Sequence, residues 1–169
     1  MERPAVPGDD NLAARYTSRM STPAQILQQG YAEARVRVRY AETDQMGVVY
    51  HANYLIWFEV GRVEFIRQLG LDYKAMEQEE DAMIAVVEVT ARYKAPARYD
   101  DDLIVRTTLA NVRGPIVRFR YTVLRAGDET VLCEGETTHI VVGRDMKRRE
   151  MPARYATLFD SVMVSRRIG

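Results

Sequence analysis

Apolar positions along this chain follow two different periods. From Arg35 to Tyr40 basic and apolar residues alternate (Arg-Val-Arg-Val-Arg-Tyr), the pattern of a half-buried strand. From Asn53 to Leu69 the period becomes helical: Tyr54, Phe58, Gly61, Phe65 and Leu69 share one face. Leu55, Ile56, Trp57, Val60, Val63 and Ile66 widen that face, which predicts a helix covered around most of its circumference. A glycine inside a helix costs roughly 1 kcal/mol of propensity, so Gly61 predicts a close backbone approach. Gly70 reads as the helix stop. A short second helix and loop are expected over Asp72 to Asp81. Four strands follow, at Met83–Tyr93, Leu103–Val112, Ile116–Leu124 and Thr130–Val142, and Pro152 to Met163 reads as a terminal helix. Residues 1 to about 30 carry no sustained pattern and predict a flexible extension, with a helical turn near Ala24 to Gln29. The folded domain is then expected over 31–165.

The links Arg113-Gly114-Pro115 and Ala126-Gly127-Asp128 are short enough to make their strands antiparallel neighbours. The order is strand, long apolar helix, then four strands. This gives an α+β fold, a curved five-stranded antiparallel sheet wrapped around one central helix. One such layer pair leaves the helix or a sheet edge partly uncovered, and a second copy would cover it. A homo-oligomer, dimer or tetramer, is expected.

The 169 residues carry 24 Lys and Arg against 24 Asp and Glu, so the net charge is zero. This argues against nucleic acid as a main partner. No run is long and apolar enough for a membrane span, and the first residues contain no signal-peptide core. The single Cys133 forms no internal disulfide and fits a reducing, cytoplasmic setting.

The supply of nucleophiles is short. The four serines, Ser18, Ser21, Ser161 and Ser165, lie in the terminal segments, and no nucleophile elbow surrounds any of them. Cys133 sits mid-strand and reads as structural. His139 shares a strand face with Cys133 and Thr137 and reads as packing. Two histidines and one cysteine make no ordinary zinc site, and no phosphate loop or dinucleotide fingerprint is present, so neither a metal nor an organic cofactor is expected. Asp44 and His51 remain, in the joint between the first strand and the helix, where Gly47 suits a turn and the helix start offers free N–H donors. Taken alone, Asp44 is also explained as a turn former and His51 as an ordinary helix-start residue.

The run Asp44-Gln45-Met46-Gly47-Val48-Val49-Tyr50-His51-Ala52-Asn53-Tyr54 resembles the signature of hotdog-fold acyl-CoA thioesterases of the 4-hydroxybenzoyl-CoA thioesterase family. The nearest branch is that of the Tol-Pal-associated acyl-CoA thioesterases, which Tyr93-Lys94-Ala95-Pro96-Ala97-Arg98-Tyr99-Asp100-Asp101 also resembles. The resemblance implies a hotdog fold, dimers with a continuous sheet and often tetramers, and hydrolysis of acyl-CoA to the free acid and CoA without metal or cofactor. It puts Asp44 on the family's catalytic aspartate and His51 on the branch's histidine. Tyr50, Asn53 and Tyr54 fall on pocket or helix-start positions, and Val49 is taken with them as substrate-binding.

A carboxylate serves thioester hydrolysis either as a general base toward water or as a nucleophile. Both routes need oxyanion donors, for which backbone N–H groups around Tyr50 to Asn53 are the candidates. CoA phosphates call for basic residues, and Lys94, Arg98 and Arg113 are the candidates because they border strand ends. Alternative readings are a thioesterase acting on an acyl-carrier protein, a dehydratase of the same fold, and a non-catalytic acyl-CoA-binding module.

Overall fold

The computed structural model describes residues 21–168. Helix α1 (Pro23–Gln29) comes first, capped by Thr22 and Gln25 and ended by Gly30 in the left-handed region. Strand β1 (Ala32–Arg37) leads through a 3-10 turn (Tyr40–Glu42) to the long helix α2 (Asn53–Gln68) and the short helix α3 (Tyr73–Glu79). Strands β2 (Met83–Tyr93), β3 (Asp102–Arg113), β4 (Ile116–Arg125) and β5 (Val131–Val142) follow, and helix α4 (Ala153–Ile168) ends the chain.

The five strands form one antiparallel sheet in the order β1-β3-β4-β5-β2. Register shifts at Val86/Glu88, Leu109/Asn111 and Val123/Leu124 interrupt three of the pairings. Such bulges bend the strand that carries them. Because β1 and β2 lie at opposite edges, the chain between them must cross the sheet, and α2 makes the crossing. Its buried side chains Tyr54, Trp57, Phe58, Phe65 and Ile66 meet Leu103, Val105, Phe119 and Tyr121 in one core. The rings of Phe58 and Tyr121 stack with centroids 4.5 Å apart. Gly61 makes the expected close approach: a Cβ there would lie 2.5 Å from Thr107 Oγ1 and 2.7 Å from Val105 Cγ1. Gly135 serves the same end under the Phe58 ring.

Two expectations shift. The first strand starts and ends earlier than 35–40. Its pairing with β3 runs over 32–37, and Tyr40 belongs to the 3-10 turn because Thr43 N–H already bonds back to the Tyr40 carbonyl. The extension expected over 1–30 divides. Residues 1–20 lie outside the described residues, whereas α1 carries Ile26 fully buried in the core, so packing begins before residue 31. As expected of one layer pair, part of α2 stays open within one chain: Leu55, Ile56 and Val60 are 41, 51 and 41% exposed.

Candidate active site

The joint between β1 and α2 is held mainly by backbone. Asp44 N–H donates to the Val48 carbonyl and Gly47 N–H to the Asp44 carbonyl, both at 2.9 Å, closing a turn with Gly47 at φ 71°. Val49 N–H then reaches Ala97 O, and Tyr50 N–H reaches Glu42 O, each at 2.9 Å. The Asn53 side-chain N–H₂ donates to the same Glu42 carbonyl at 2.9 Å. Asn53, expected at the substrate, therefore braces the joint.

Two carboxylates two residues apart meet opposite environments. Glu42 is buried. Its oxygens accept from Arg39 N–H at 2.7 Å, the Arg39 guanidinium at 3.0 Å and Trp57 Nε1–H at 3.3 Å. Burial works to raise its carboxyl, but these donors outweigh it and hold the group below the usual carboxylate range. Asp44 is half-buried, and only Oδ1 is engaged, accepting from Met46 N–H at 2.8 Å. Its turn-forming role is thus real and uses one oxygen; among the described residues Oδ2 accepts no bond.

Tyr50 and Asn53 N–H were expected among the oxyanion donors. Both are engaged, the first on Glu42 O and the second on Tyr50 O at 3.0 Å. Directly ahead of α2, the N–H groups of His51 and Ala52 donate to nothing among the described residues, as do those of Gln45 and Val48 in the turn before them.

Beside them opens a cleft of about 280 Å³ lined by Val48, Val49, His51, Tyr54, Tyr93, Lys94, Ala95 and Pro96. The His51 ring is exposed and packs against Tyr50 at 4.4 Å and Tyr93 at 6.2 Å between centroids. Tyr93 Oη donates to the His51 carbonyl at 3.0 Å, which fixes the backbone that carries the free N–H groups. Tyr54 is buried, and its Oη accepts from Ala97 N–H at 3.3 Å. Burial raises its phenol.

The structure thus brings Val49, His51, Tyr54 and Lys94 around one cleft. Asp44 and Tyr50 lie on the adjoining turn and are not among the cleft's lining residues within one chain. Lys94 pairs with Glu134 at 3.1 Å, and Arg98 reaches the Gly47 carbonyl at 3.4 Å, which ties it to the Asp44 turn. Arg113 does not join them. It ends the 12-residue strand β3, whose other end lies at the joint, so roughly 35 Å of strand separates the two. Grouping it with Lys94 and Arg98 rested on its place at a strand end, and the ends differ. Glu42 and Tyr93 were missed as site residues. Tyr93 closes an alternating strand directly before Lys94-Ala95-Pro96, a usable signal; nothing local marks Glu42, whose Trp57 partner is 15 residues away.

Cys133 and His139 stay out of the site. Cys133 is buried and its thiol is pushed up to about 11. His139 is fully buried, with Nε2 2.7 Å from Thr137 Oγ1.

Residues 38–160 match the family model of the thioesterase-like superfamily. The chain is 37% identical over 118 residues to the acyl-CoA thioester hydrolase YbgC of Escherichia coli O6:H1, an alignment covering 69% of this chain and 87% of that protein. Among solved structures it resembles the DHNA-CoA thioesterase of Staphylococcus aureus, with a TM-score of 0.78 and 27% identity over 82% of this chain and 95% of the other. It also resembles a hypothetical protein, TT1821, of Thermus thermophilus, with a TM-score of 0.69 and 36% identity over 78 and 97% of the two chains.

Proposed function

The chain belongs to the thioesterase-like superfamily and is a hotdog-fold acyl-CoA thioester hydrolase, and on that premise we propose that Asp44 carries its chemistry with His51 beside it. The observation that supports this most is the set of unspent polar groups at the start of α2. Asp44 Oδ2, His51 N–H and Ala52 N–H are uncommitted, while Asp44, Val49, Tyr50 and Asn53 N–H beside them are bonded.

The thioester carbonyl is held with its oxygen toward the His51 and Ala52 N–H groups at the positive end of α2. Asp44 takes a proton from a water as that water's oxygen bonds to the carbonyl carbon. The oxyanion collapses, the carbon–sulfur bond breaks, and the CoA thiolate leaves and is protonated. Direct attack by Asp44, with water cleaving the resulting anhydride, places the same demand on the residue: a deprotonated carboxylate with one oxygen free. The His51 ring orients water or donates to the leaving thiolate. Val49 and Tyr54, with Tyr93, shape the acyl end of the cleft, and Tyr50 borders it on the adjoining turn. Lys94 and Arg98 meet CoA phosphates; Lys94 exchanges its half-exposed Glu134 for one.

A homo-oligomer, a dimer at minimum, completes this reading. It is supported by the exposed apolar flank of α2 and by β2, an outer strand that among the described residues pairs only with β5. A cytoplasmic setting is supported by the free, buried thiol. No helix among the described residues is long and apolar enough to cross a membrane.

The deciding experiment is thiol release from acyl-CoAs of graded chain length and from aryl-CoAs, with matched acyl-carrier-protein esters alongside. Turnover of CoA esters that Asp44→Asn abolishes is the expected result. A carrier-only preference would move the substrate, and thiol release independent of Asp44 would defeat the assignment.

A further inference from the structure

The rim beyond the Asp44 turn carries two tyrosines that the core does not use. Tyr40 and Tyr99 are 77 and 58% exposed, and their rings meet edge to face, with centroids 5.7 Å apart at 87°. Neither hydroxyl has a hydrogen-bond partner among the described residues. Aromatic faces held in water are unfavourable, and two rings at right angles leave an open corner in which a third flat ring can stack.

The backbone fixes where this corner stands. After β2 the chain runs from the cleft to the corner, laid against the segment between β1 and α2. Lys94, Ala95 and Pro96 line the cleft. Next, Ala97 O accepts from Val49 N–H at 2.9 Å, and the Arg98 guanidinium reaches the Gly47 carbonyl at 3.4 Å. Tyr99 then meets Tyr40, and Asp100 N–H donates to Val38 O at 3.1 Å. From Pro96 to Tyr99 the chain spans at most about 11 Å. Arg98 lies between them, exposed and in no ion pair among the described residues. The acids nearby are already engaged, Asp100 with Arg37, Asp101 with Arg125 and Glu42 with Arg39. Along this rim the order is therefore cleft, cation, aromatic corner.

We propose that the Tyr40–Tyr99 corner stacks the adenine ring of CoA while Arg98 holds the pyrophosphate. The proposal rests on the reading of Asp44 and the cleft given above, and adds to it a site for the nucleotide. A cleft of about 280 Å³ has room for a small acyl group and the thioester, so the nucleotide rests outside it. From the sulfur outward CoA presents a pantetheine arm, a pyrophosphate and an adenosine. The rim presents the cleft, Arg98 and the two tyrosines in the same order, and the arm with its pyrophosphate is long enough to cover the distance. Stacking asks for flat faces and no hydrogen bond, and tyrosine supplies such faces at little cost in side-chain freedom. A carrier protein offers phosphopantetheine without a base and leaves the corner empty.

The full chain tests this with an acyl-CoA that the parent turns over and the matching acyl-pantetheine, which lacks the nucleotide. In Tyr40→Ala/Tyr99→Ala the KM for the CoA ester should rise about tenfold or more, the size of one lost base stack, with kcat within twofold of the parent. The kcat/KM for the pantetheine ester should change less than twofold. Tyr40→Phe/Tyr99→Phe keeps both faces and should match the parent on both esters. Near-ultraviolet circular dichroism and oligomer size verify that these exposed substitutions leave the fold intact. A double alanine variant whose KM for the CoA ester stays within threefold of the parent overturns the proposal. So does a parent with equal kcat/KM on the two esters, for which the nucleotide contributes nothing. Equal losses on both esters would make the tyrosines braces of the Asp44 turn, and a loss confined to acyl-carrier-protein esters would give the corner to a protein; either result also overturns it. In all four cases an inactive Asp44→Asn leaves the reading of the cleft standing. Turnover of the CoA ester that survives Asp44→Asn defeats that reading and this one together.

Discussion

Two regions along α2 hold most of this chain's interesting polar groups, and they treat them in opposite ways. At the solvent side of the helix start, Asp44 Oδ2 and the His51 and Ala52 N–H groups are unbonded and open to a ligand. On the buried side, Glu42 accepts three hydrogen bonds, and Tyr121 Oη and His139 Nε2 both meet Thr137 Oγ1, although His139 Nδ1 has no partner among the described residues. Both regions contain one histidine and both adjoin aromatic rings. Residue type therefore does not separate a catalytic group from a structural one. Access does, together with whether the group's bonding capacity is already spent. A satisfied buried group lends stability and cannot turn over a substrate; an unsatisfied exposed group costs little and is free to act.

The sharpest way to break this contrast is at the two carboxylates. Asp44→Asn keeps the Oδ1 bond to Met46 N–H and removes basicity. It should lower kcat by about 10²-fold or more, with the melting temperature nearly unchanged. His51→Ala should lose less, about tenfold, because its backbone N–H survives the substitution. Steady-state hydrolysis of one short acyl-CoA and one aryl-CoA, with oligomer size verified, reads both. Turnover by Asp44→Asn within threefold of the parent would remove the solvent-side assignment altogether.

Glu42→Gln should show the reverse. It loses the charged bond to Arg39 while the backbone carbonyl that holds Tyr50 and Asn53 is untouched. Unfolding free energy should fall by about 1–2 kcal/mol and kcat by less than tenfold. The sign with pH follows from its lowered carboxyl: the contribution is full above the ordinary carboxylate value of 4.5 and disappears as pH falls through the lower folded value. The parent and Glu42→Gln should therefore converge in acid. A variant as stable as the parent at pH 7, but inactive, would place Glu42 in the chemistry instead.

How much of this could be read beforehand differs by level. The helix over 53–68, the succession of strands after it, the turn at Gly47 and the tight fit at Gly61 are consequences of periodicity and of glycine's missing Cβ. Both are properties of short stretches. The residues alone left Asp44 and His51 as a candidate acid–base pair with an ordinary turn-former and helix-start explanation, and the resemblance of 44–54 to a family signature decided between them. What stayed hidden depends on pairs far apart in sequence. Glu42 meets Trp57, Tyr93 meets His51, and Arg62 meets Tyr121, none of which a local pattern encodes. Register also decided Arg113: a strand end looks alike in sequence whether or not it lies at the joint.

The smallest effect tests the buried side alone. Burial, and then the Arg62 guanidinium, push the His139 imidazole down to about 3 from its ordinary 6.5. In the unfolded chain it gains a proton near 6.5, whereas in the folded chain it stays neutral until about 3. Stability from this group is thus complete above pH 6.5 and is lost as pH falls toward 3, because the unfolded state binds the proton first. The limiting slope for one proton is about 1.4 kcal/mol per pH unit. The interval from pH 6 to 5 isolates the effect, since the Glu42 contribution changes with pH only below 4.5. Urea unfolding at fixed protein concentration should give a loss of about 1 kcal/mol across that interval in the parent. His139→Phe fills the same space beside Phe119, leaves the Tyr121–Thr137 bond in place and should flatten the slope. Its kcat should stay within threefold of the parent, as expected of a histidine buried in the core away from the cleft. Equal slopes in parent and variant would mean that His139 is protonated in the folded chain, and the division between the two sides of α2 would then fail at its buried end.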